Sequence, residues 1–335
     1  MADVIPGRTG RTAGRNRAQL ILVAGLIIAV TFVALALTLN TVIYTENLAT
    51  RSSDIAGGDD AIRFLDVARE GITGVMTRAN RGHNGSHDDV VGNVTGGIDA
   101  WRNATGRSYA VNGIVTNVSK VNVTEGTRMR QANGSRNFSS ADGSANWTLA
   151  SDVTGMRQFR LNVTRTTLAD STRSLVGTAG VDVFEVRFDD QSTEWQVFVY
   201  KNTTGTHTVN VTVENRTSGT KFGPCSATTE EVVVNVTAET VDGESCSALS
   251  FVSDLQSPYE ITYHDADSTT GEGTYHLFVD NSSVAQSPEP QFNDVPGDSP
   301  WADAAVYSVG FDANYETERL RYNASLRVAP GEPDD

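Results

Sequence analysis

Lysine is almost missing from this chain. Only Lys120, Lys201 and Lys221 occur, so 23 of its 26 basic side chains are arginine. Cysteine is limited to Cys225 and Cys246, which excludes a disulfide-dense scaffold and any metal site built from several thiolates. There is no Gly-x-Ser-x-Gly, no phosphate-binding loop and no dinucleotide fingerprint, so the enzyme classes those motifs announce have no support. Positive charge is short overall, with 26 basic against 41 acidic residues and a net charge of −15. Its placement is uneven. The first 18 residues hold Arg8, Arg11, Arg15 and Arg17 against Asp3, a charge of +3, which leaves −18 on the remainder. So acidic a surface repels phosphate backbones and excludes nucleic acid as a partner. An apolar fraction of 39% with 7% aromatics is enough for a core, which excludes wholesale disorder.

One long apolar run is present. Leu20 to Ile43 has no charged side chain. As a helix it would extend about 36 Å, enough for a bilayer core of roughly 30 Å. Arginines precede it and Glu46 follows it, so the positive-inside rule predicts a cytoplasmic N-terminus and an extracellular remainder. The expected location is the cell membrane, single-pass, with the lipid bilayer met through residues 20–43. Ala34-Leu35-Ala36 has the letters of a signal-peptide cleavage site, but the apolar run continues past it. An uncleaved anchor and a pilin-type leader are the other two readings.

Beyond the run, Tyr44 to Arg51 extends the helical pattern as a stalk, and Gly57-Gly58 predicts a break. Asp59 offers a cap to a helix with Ile62, Leu65, Ala68, Ile72, Val75 and Ala79 at helical spacing. A third helix is predicted over Asp88–Arg102, although Gly92, Gly96 and Gly97 oppose it. From Ile114 the pattern turns to strands. They are predicted at Lys120–Met129, Met156–Thr166, Val181–Phe188, Trp195–Tyr200, Thr208–Glu214, Val232–Ala238, Tyr259–His264, Thr274–Val279, Ala305–Phe311 and Leu320–Val328. No helix separates them, so the sheet should be mostly antiparallel. The expected fold class is α+β: a long N-terminal membrane and stalk helix, one or two further helices, then an antiparallel sheet or β-sandwich. The expected domains are a basic leader at 1–18, a transmembrane helix at 19–44, a helical stalk at 45–112, a β-rich extracellular domain at 113–329 and a disordered tail at 330–335.

An acidic, lysine-poor chain rich in Asp, Thr and Val resembles proteins of halophilic archaea. Strong salt would screen its self-repulsion, since the Debye length is about 3 Å at 1 M. Arg17-Ala18-Gln19-Leu20 resembles an archaeal prepilin peptidase site, with cleavage implied between Ala18 and Gln19. Val23 stands where bacterial pilins usually have Glu. With the apolar helix, further helix and antiparallel sheet in that order, the chain resembles a haloarchaeal pilin-like surface protein. The resemblance implies a prepilin peptidase and other pilin-like subunits as partners.

The strongest chemical signal is the Asn-x-Ser/Thr acceptor. It occurs at Asn84, Asn93, Asn103, Asn117, Asn122, Asn133, Asn137, Asn146, Asn162, Asn202, Asn210, Asn215, Asn235, Asn281 and Asn323. Chance predicts roughly four in this composition. Where the acceptor reads Asn-Val-Thr in a strand, at Asn122, Asn162, Asn210 and Asn235, period-2 alternation puts Asn and Thr on one face and Val on the other. Glycans should then face solvent while valines enter the core. The lone cysteine pair predicts a disulfide stapling a hairpin or loop around Val232–Ala238.

Other signals are weaker. His83, His87, Asp88 and Asp89 read as a glycine-rich loop rather than a metal site. Asp265-x-Asp267-x-Thr269 lacks the glycine and glutamate of a calcium loop, and reads as a hairpin turn between Tyr259–His264 and Thr274–Val279. A hydrolase would need His207, His264 and His276 to converge with carboxylates. The sequence therefore points to a non-enzymatic surface glycoprotein, a pilin-like structural or adhesive subunit, with no cofactor and no metal. The alternative is a membrane-anchored extracellular ligand-binding β-sandwich.

Overall fold

The computed structural model describes residues 28, 29, 32, 58–82, 85–171, 182–203, 208–283, 291–294 and 298–332. Helix α1 covers 58–79 and helix α2 covers His87–Ala110. Ser86 caps α2, its Oγ accepting the Asp89 N–H at 3.4 Å, and Asp88 and Asp89 in the first turn suit the partial positive charge there. In α1 the buried set includes Phe64, Leu65, Ala68, Ile72 and Met76, whereas Ile62 is 55% exposed. The apolar stripe is thus rotated from the one expected. Phe64 sets it, because its ring meets Tyr109 at 5.4 Å and Tyr315 at 6.0 Å. Glycine inside these helices has a steric reason. A Cβ on Gly71 would fall 2.2 Å from Trp101 Nε1, and one on Gly97 would fall 2.6 Å from Val75. Close approach of α1 and α2 offsets the roughly 1 kcal/mol that an interior glycine costs a helix.

The strands form two sheets. The first contains β1 (Val115–Gln131), β3 (Met156–Thr164), β9 (Glu231–Asn235), β10 (Thr240–Val241), β11 (Glu244–Ser245), β13 (Gly273–Val279), β14 (Trp301–Glu316) and β15 (Arg321–Val328). Its order is β11-β10-β9-β3-β13-β1-β14-β15. The second contains β2 (Trp147–Val153), β4 (Asp170–Ser171), β5 (Phe184–Asp189), β6 (Glu194–Asn202), β7 (Val209–Asn215), β8 (Thr220–Ala227) and β12 (Tyr259–His264). Its order is β2-β12-β5-β6-β7-β8, with β4 beside β6 in a parallel pairing.

Alternation builds the core between the sheets. Met129, Leu161, Val163, Tyr275 and Leu277 of the first sheet share one cluster with Val186, Phe188, Val197, Val211 and Ile261 of the second. That is a β-sandwich. The outer face of the first sheet carries α2: Arg102 donates to the Val118 carbonyl at 3.2 Å, and Tyr109 meets Tyr315 at 6.3 Å.

The expected fold class needs correction. The described chain is mainly antiparallel sheet, and among its residues no helix is long and apolar enough to cross a membrane. The long N-terminal membrane helix and the single-pass location are withdrawn with it. The 24 residues of α2 have the length, but Asp88, Asp89, Asp99, Arg102 and Arg107 make it a helix with one face for the sheet and one for water. The apolar run at 20–43 lies outside the described residues except for Ile28, Ala29 and Phe32.

Strand β12 matches the expected Tyr259–His264 and alternates buried with half-buried positions. It is not a hairpin partner of β13. It pairs with β2 and β5 in the second sheet, whereas β13 pairs with β1 and β3 in the first. The Asp265–Thr270 segment is therefore a crossover between sheets. Strand β8 is not among the strands expected from the sequence, and it contains Pro224. It lies at the edge of its sheet, where a missing N–H is tolerated.

Candidate functional site

The processing pair, Ala18 and Gln19, lies outside the described residues, as do Asn84, His83 and His207. The remaining acceptor asparagines fall into three groups. Asn93 and Asn103 on α2, Asn117 and Asn122 on β1, Asn133, Asn146 and Asn323 are exposed. Asn137, Asn162, Asn202, Asn215, Asn235 and Asn281 are half-buried. Asn210 is only 4% exposed. Its Oδ1 accepts from Ser226 Oγ at 2.8 Å and from Thr208 Oγ1 at 2.9 Å. The alternation argument works for Val163, Val211 and Val236, which are buried, whereas Val123 after Asn122 is only half-buried. It fails for Asn210 because both faces of β7 are covered, with Val209 to Val213 buried without interruption.

Cys225 and Cys246 are bridged, with Cα atoms 5.7 Å apart. Cys225 belongs to β8, the last strand of the second sheet, and Cys246 directly follows β11, the last strand of the first. The bond therefore ties the two sheets together at one edge of the sandwich, rather than stapling a hairpin. Next to it, the 3-10 helix Ser247–Asp254 sends Ala248, Leu249 and Phe251 into the core.

The described histidines do not converge. His264 belongs to the second sheet, where its Nε2 lies 3.2 Å from Thr262 Oγ1, and His276 belongs to the first. Buried His87 opens α2, and its Nε2 lies 2.9 Å from the Gly126 carbonyl. No group of three or more metal-ligating side chains is found among the described residues.

What sequence reasoning missed is a group of arginines on the outer face of the first sheet. Strand alternation sends Met129 and Gln131 inward and Arg128 and Arg130 outward. The register then sets neighbours beside them. Arg128 is paired with Phe278 and Asp303, Phe278 with Arg157, Arg130 with His276 and Trp301, and His276 with Arg160. Arg128 is held from all sides. It donates to Asp303 through Nε at 2.9 Å and Nη2 at 2.5 Å, to Gly82 O at 2.7 Å, and to Asn80 O. Asn80 in turn bonds Val306 with both amide atoms at 2.9 Å, which fixes the end of α1 on β14. Arg130 lies 3.6 Å from the same Asp303 carboxylate and 5.2 Å from the centre of the Trp301 ring.

The field around these groups is positive. Burial, then Arg128, lowers the pKa of Arg130. Burial lowers that of Arg157 to about 10, opposed by Tyr307 and Glu332, so it stays charged at neutral pH. Burial, then Arg128, Arg130 and Arg157, lowers that of His276 to about 4, so its ring is neutral. Two cavities open on this face. One, of about 180 Å³, lies between the Asn80–Arg81 turn and Pro330. The other, of about 360 Å³, is lined by Arg160, Asn162 and Thr274. His276 belongs to both walls. The sequence signal was present in Arg128-x-Arg130, two cations at strand period in an otherwise acidic chain. Only the pairing of β3, β13 and β1 adds Arg157, Arg160 and His276 to them.

Residues 14–145 match a family of unknown function, DUF7261, a span that includes the apolar run, both helices and β1. No curated protein matches the chain. No solved structure matches it either.

Proposed function

We propose that this chain is a non-enzymatic glycoprotein that acts outside the cytoplasm as a structural or adhesive surface subunit. The observation that carries the reading is the exposure of acceptor asparagines on and around the outermost strands of the first sheet. Asn117 on β1 and Asn323 on β15 flank Asn314 in one row across three strands, and both are exposed. Among the described residues strand β15 ends an eight-stranded sheet, the place where another chain could add by strand pairing. Glycans on that row would keep the edge from indiscriminate pairing while leaving the fold untouched. The Cys225–Cys246 bond fits an oxidising compartment. An acidic surface at −15 adds repulsion between copies at low salt and loses it at high salt.

Glycopeptide mass spectrometry on protein from its native cells tests this. Asn93, Asn103, Asn117, Asn122 and Asn323 should carry glycan, and Asn210 should be bare. Every exposed acceptor found bare would falsify the glycoprotein reading. A binding module is the second reading, favoured by the arginine-lined cavity beside Asn80.

A further inference from the structure

The smaller cavity has walls charged against the sign of the rest of the molecule. Arg81, Arg128 and Arg157 line it, and no acidic side chain among the described residues does. Arg128 is neutralised by Asp303. Arg157 is not. It is 3% exposed, its two Nη atoms donate to the Pro330 and Val306 carbonyls at 3.2 Å each, and no carboxylate among the described residues lies within ion-pair distance of it. Among the described residues its Nε has no hydrogen-bond partner, and neither has the buried Nε2 of His276 on the same wall. Arg81 is exposed and has no ion pair among the described residues.

A buried cation without a counter-ion is costly, and one buried polar hydrogen left unbonded adds to the cost. The Phe278 ring, 4.0 Å from the Arg157 guanidinium, returns part of it. Glu332 acts on Arg157 only at a distance, because its own carboxylate is engaged by Tyr307 OH at 2.7 Å and by Arg327. Among the described residues the cavity is thus one anion short. The rest of its lining mixes the apolar Met76, Phe278 and Pro330 with the polar Thr77, Asn80 and Gln158. A volume of about 180 Å³ corresponds to about six waters at roughly 30 Å³ each, which suits one acidic monomer and not a polymer chain.

We infer that this cavity binds a small organic oxyanion, its carboxylate or phosphate set against Arg81, Arg157 Nε and His276, and its carbon skeleton against Met76, Phe278 and Pro330. The arrangement supplies charge-assisted hydrogen bonds on one side and apolar contact on the other. It is independent of whether glycans are attached. Calorimetric titration of the full chain with glucuronate, glucose 6-phosphate and inorganic phosphate, at ionic strength matched with potassium chloride, tests it. One or both organic anions should bind saturably and more tightly than inorganic phosphate. Arg81→Gln should weaken that binding about tenfold, the effect of one charged hydrogen bond. Arg160→Gln, on the neighbouring cavity, should leave it within twofold. Heats no larger than those of chloride would overturn the assignment. So would equal losses in the two variants, which would mean general charge attraction, or inorganic phosphate binding as tightly as the organic anions, which would leave the apolar side chains without a role.

Discussion

Replacing Asp303 by Asn should destabilise the protein by about 3–5 kcal/mol, the usual cost of breaking a buried ion pair from one side. The side chain of Asp303 is fully covered and that of Arg128 is 7% exposed, so water cannot take the place of the missing charge. The carboxylate accepts two bonds from Arg128 and lies 3.6 Å from Arg130. Two unit charges about 4 Å apart attract by about 4 kcal/mol at an effective dielectric constant of 20. An Asn has the same shape, but only its oxygen accepts. Its NH2 would face a guanidinium N–H, donor against donor. Arg128 would also keep its bonds to Asn80 and Gly82, so the charge has no route to solvent that preserves the α1–β14 junction. Urea unfolding followed by tryptophan fluorescence gives the difference from the midpoints, provided the slope is unchanged. The difference should be nearly the same at 0.1 M and 2 M sodium chloride, because a buried pair is screened little. In a cycle with Arg128→Met, the double variant should be more stable than the sum of the single losses by about 2 kcal/mol or more. A loss below about 1 kcal/mol for Asp303→Asn, or one that vanishes in high salt, would refute the argument.

Replacing both Cys225 and Cys246 by Ser opens a loop with a sequence separation of 21 and should lower stability by about 3 kcal/mol on the chain-entropy model, read as a drop in urea midpoint. Because the bond joins the two sheets, hydrogen exchange should rise most in β8, β10 and β11; a uniform rise would contradict that placement. His276, lowered to about 4 when folded against about 6.5 when unfolded, makes the unfolded chain the better proton acceptor between those values. Stability should then fall as pH drops from about 6.5 to 4, by up to about 3 kcal/mol, and be unaffected by this group above 6.5. His276→Gln should flatten that part of the stability profile, and an unchanged slope would dismiss the group. Gly71→Ala places a methyl 2.2 Å from the Trp101 indole and should cost about 1–3 kcal/mol in spite of alanine's better helix propensity, whereas Gly74→Ala, in open space on the same helix, should stabilise by a few tenths to about 1 kcal/mol.

Composition and local pattern determined a good deal of this protein by themselves. The sequence of α1 announced an amphipathic helix ending at 79. The alternation of Tyr259–His264 defined β12 to the residue, and the lone cysteine pair implied its bond. These are properties of neighbouring residues or of counting, so one chain suffices to read them. Partnership between distant segments was decided only in the tertiary structure. Nothing local distinguishes a β12–β13 hairpin from a crossover between sheets, because both need two strands and a turn. Asn210 looked like an outward acceptor because alternation assumes one solvated face, and β7 has none. The expected long apolar helix rested on hydropathy at 20–43, almost all of it outside the described residues, while the helices that are described spend their length against the sheet. The arginine face shows the division most clearly. Arg128 and Arg130 are two residues apart in sequence, but Arg157, His276 and Asp303 come from strands up to 175 positions away. Register alone sets them side by side, and the charge of a site is the sum over strands that the sequence does not place together.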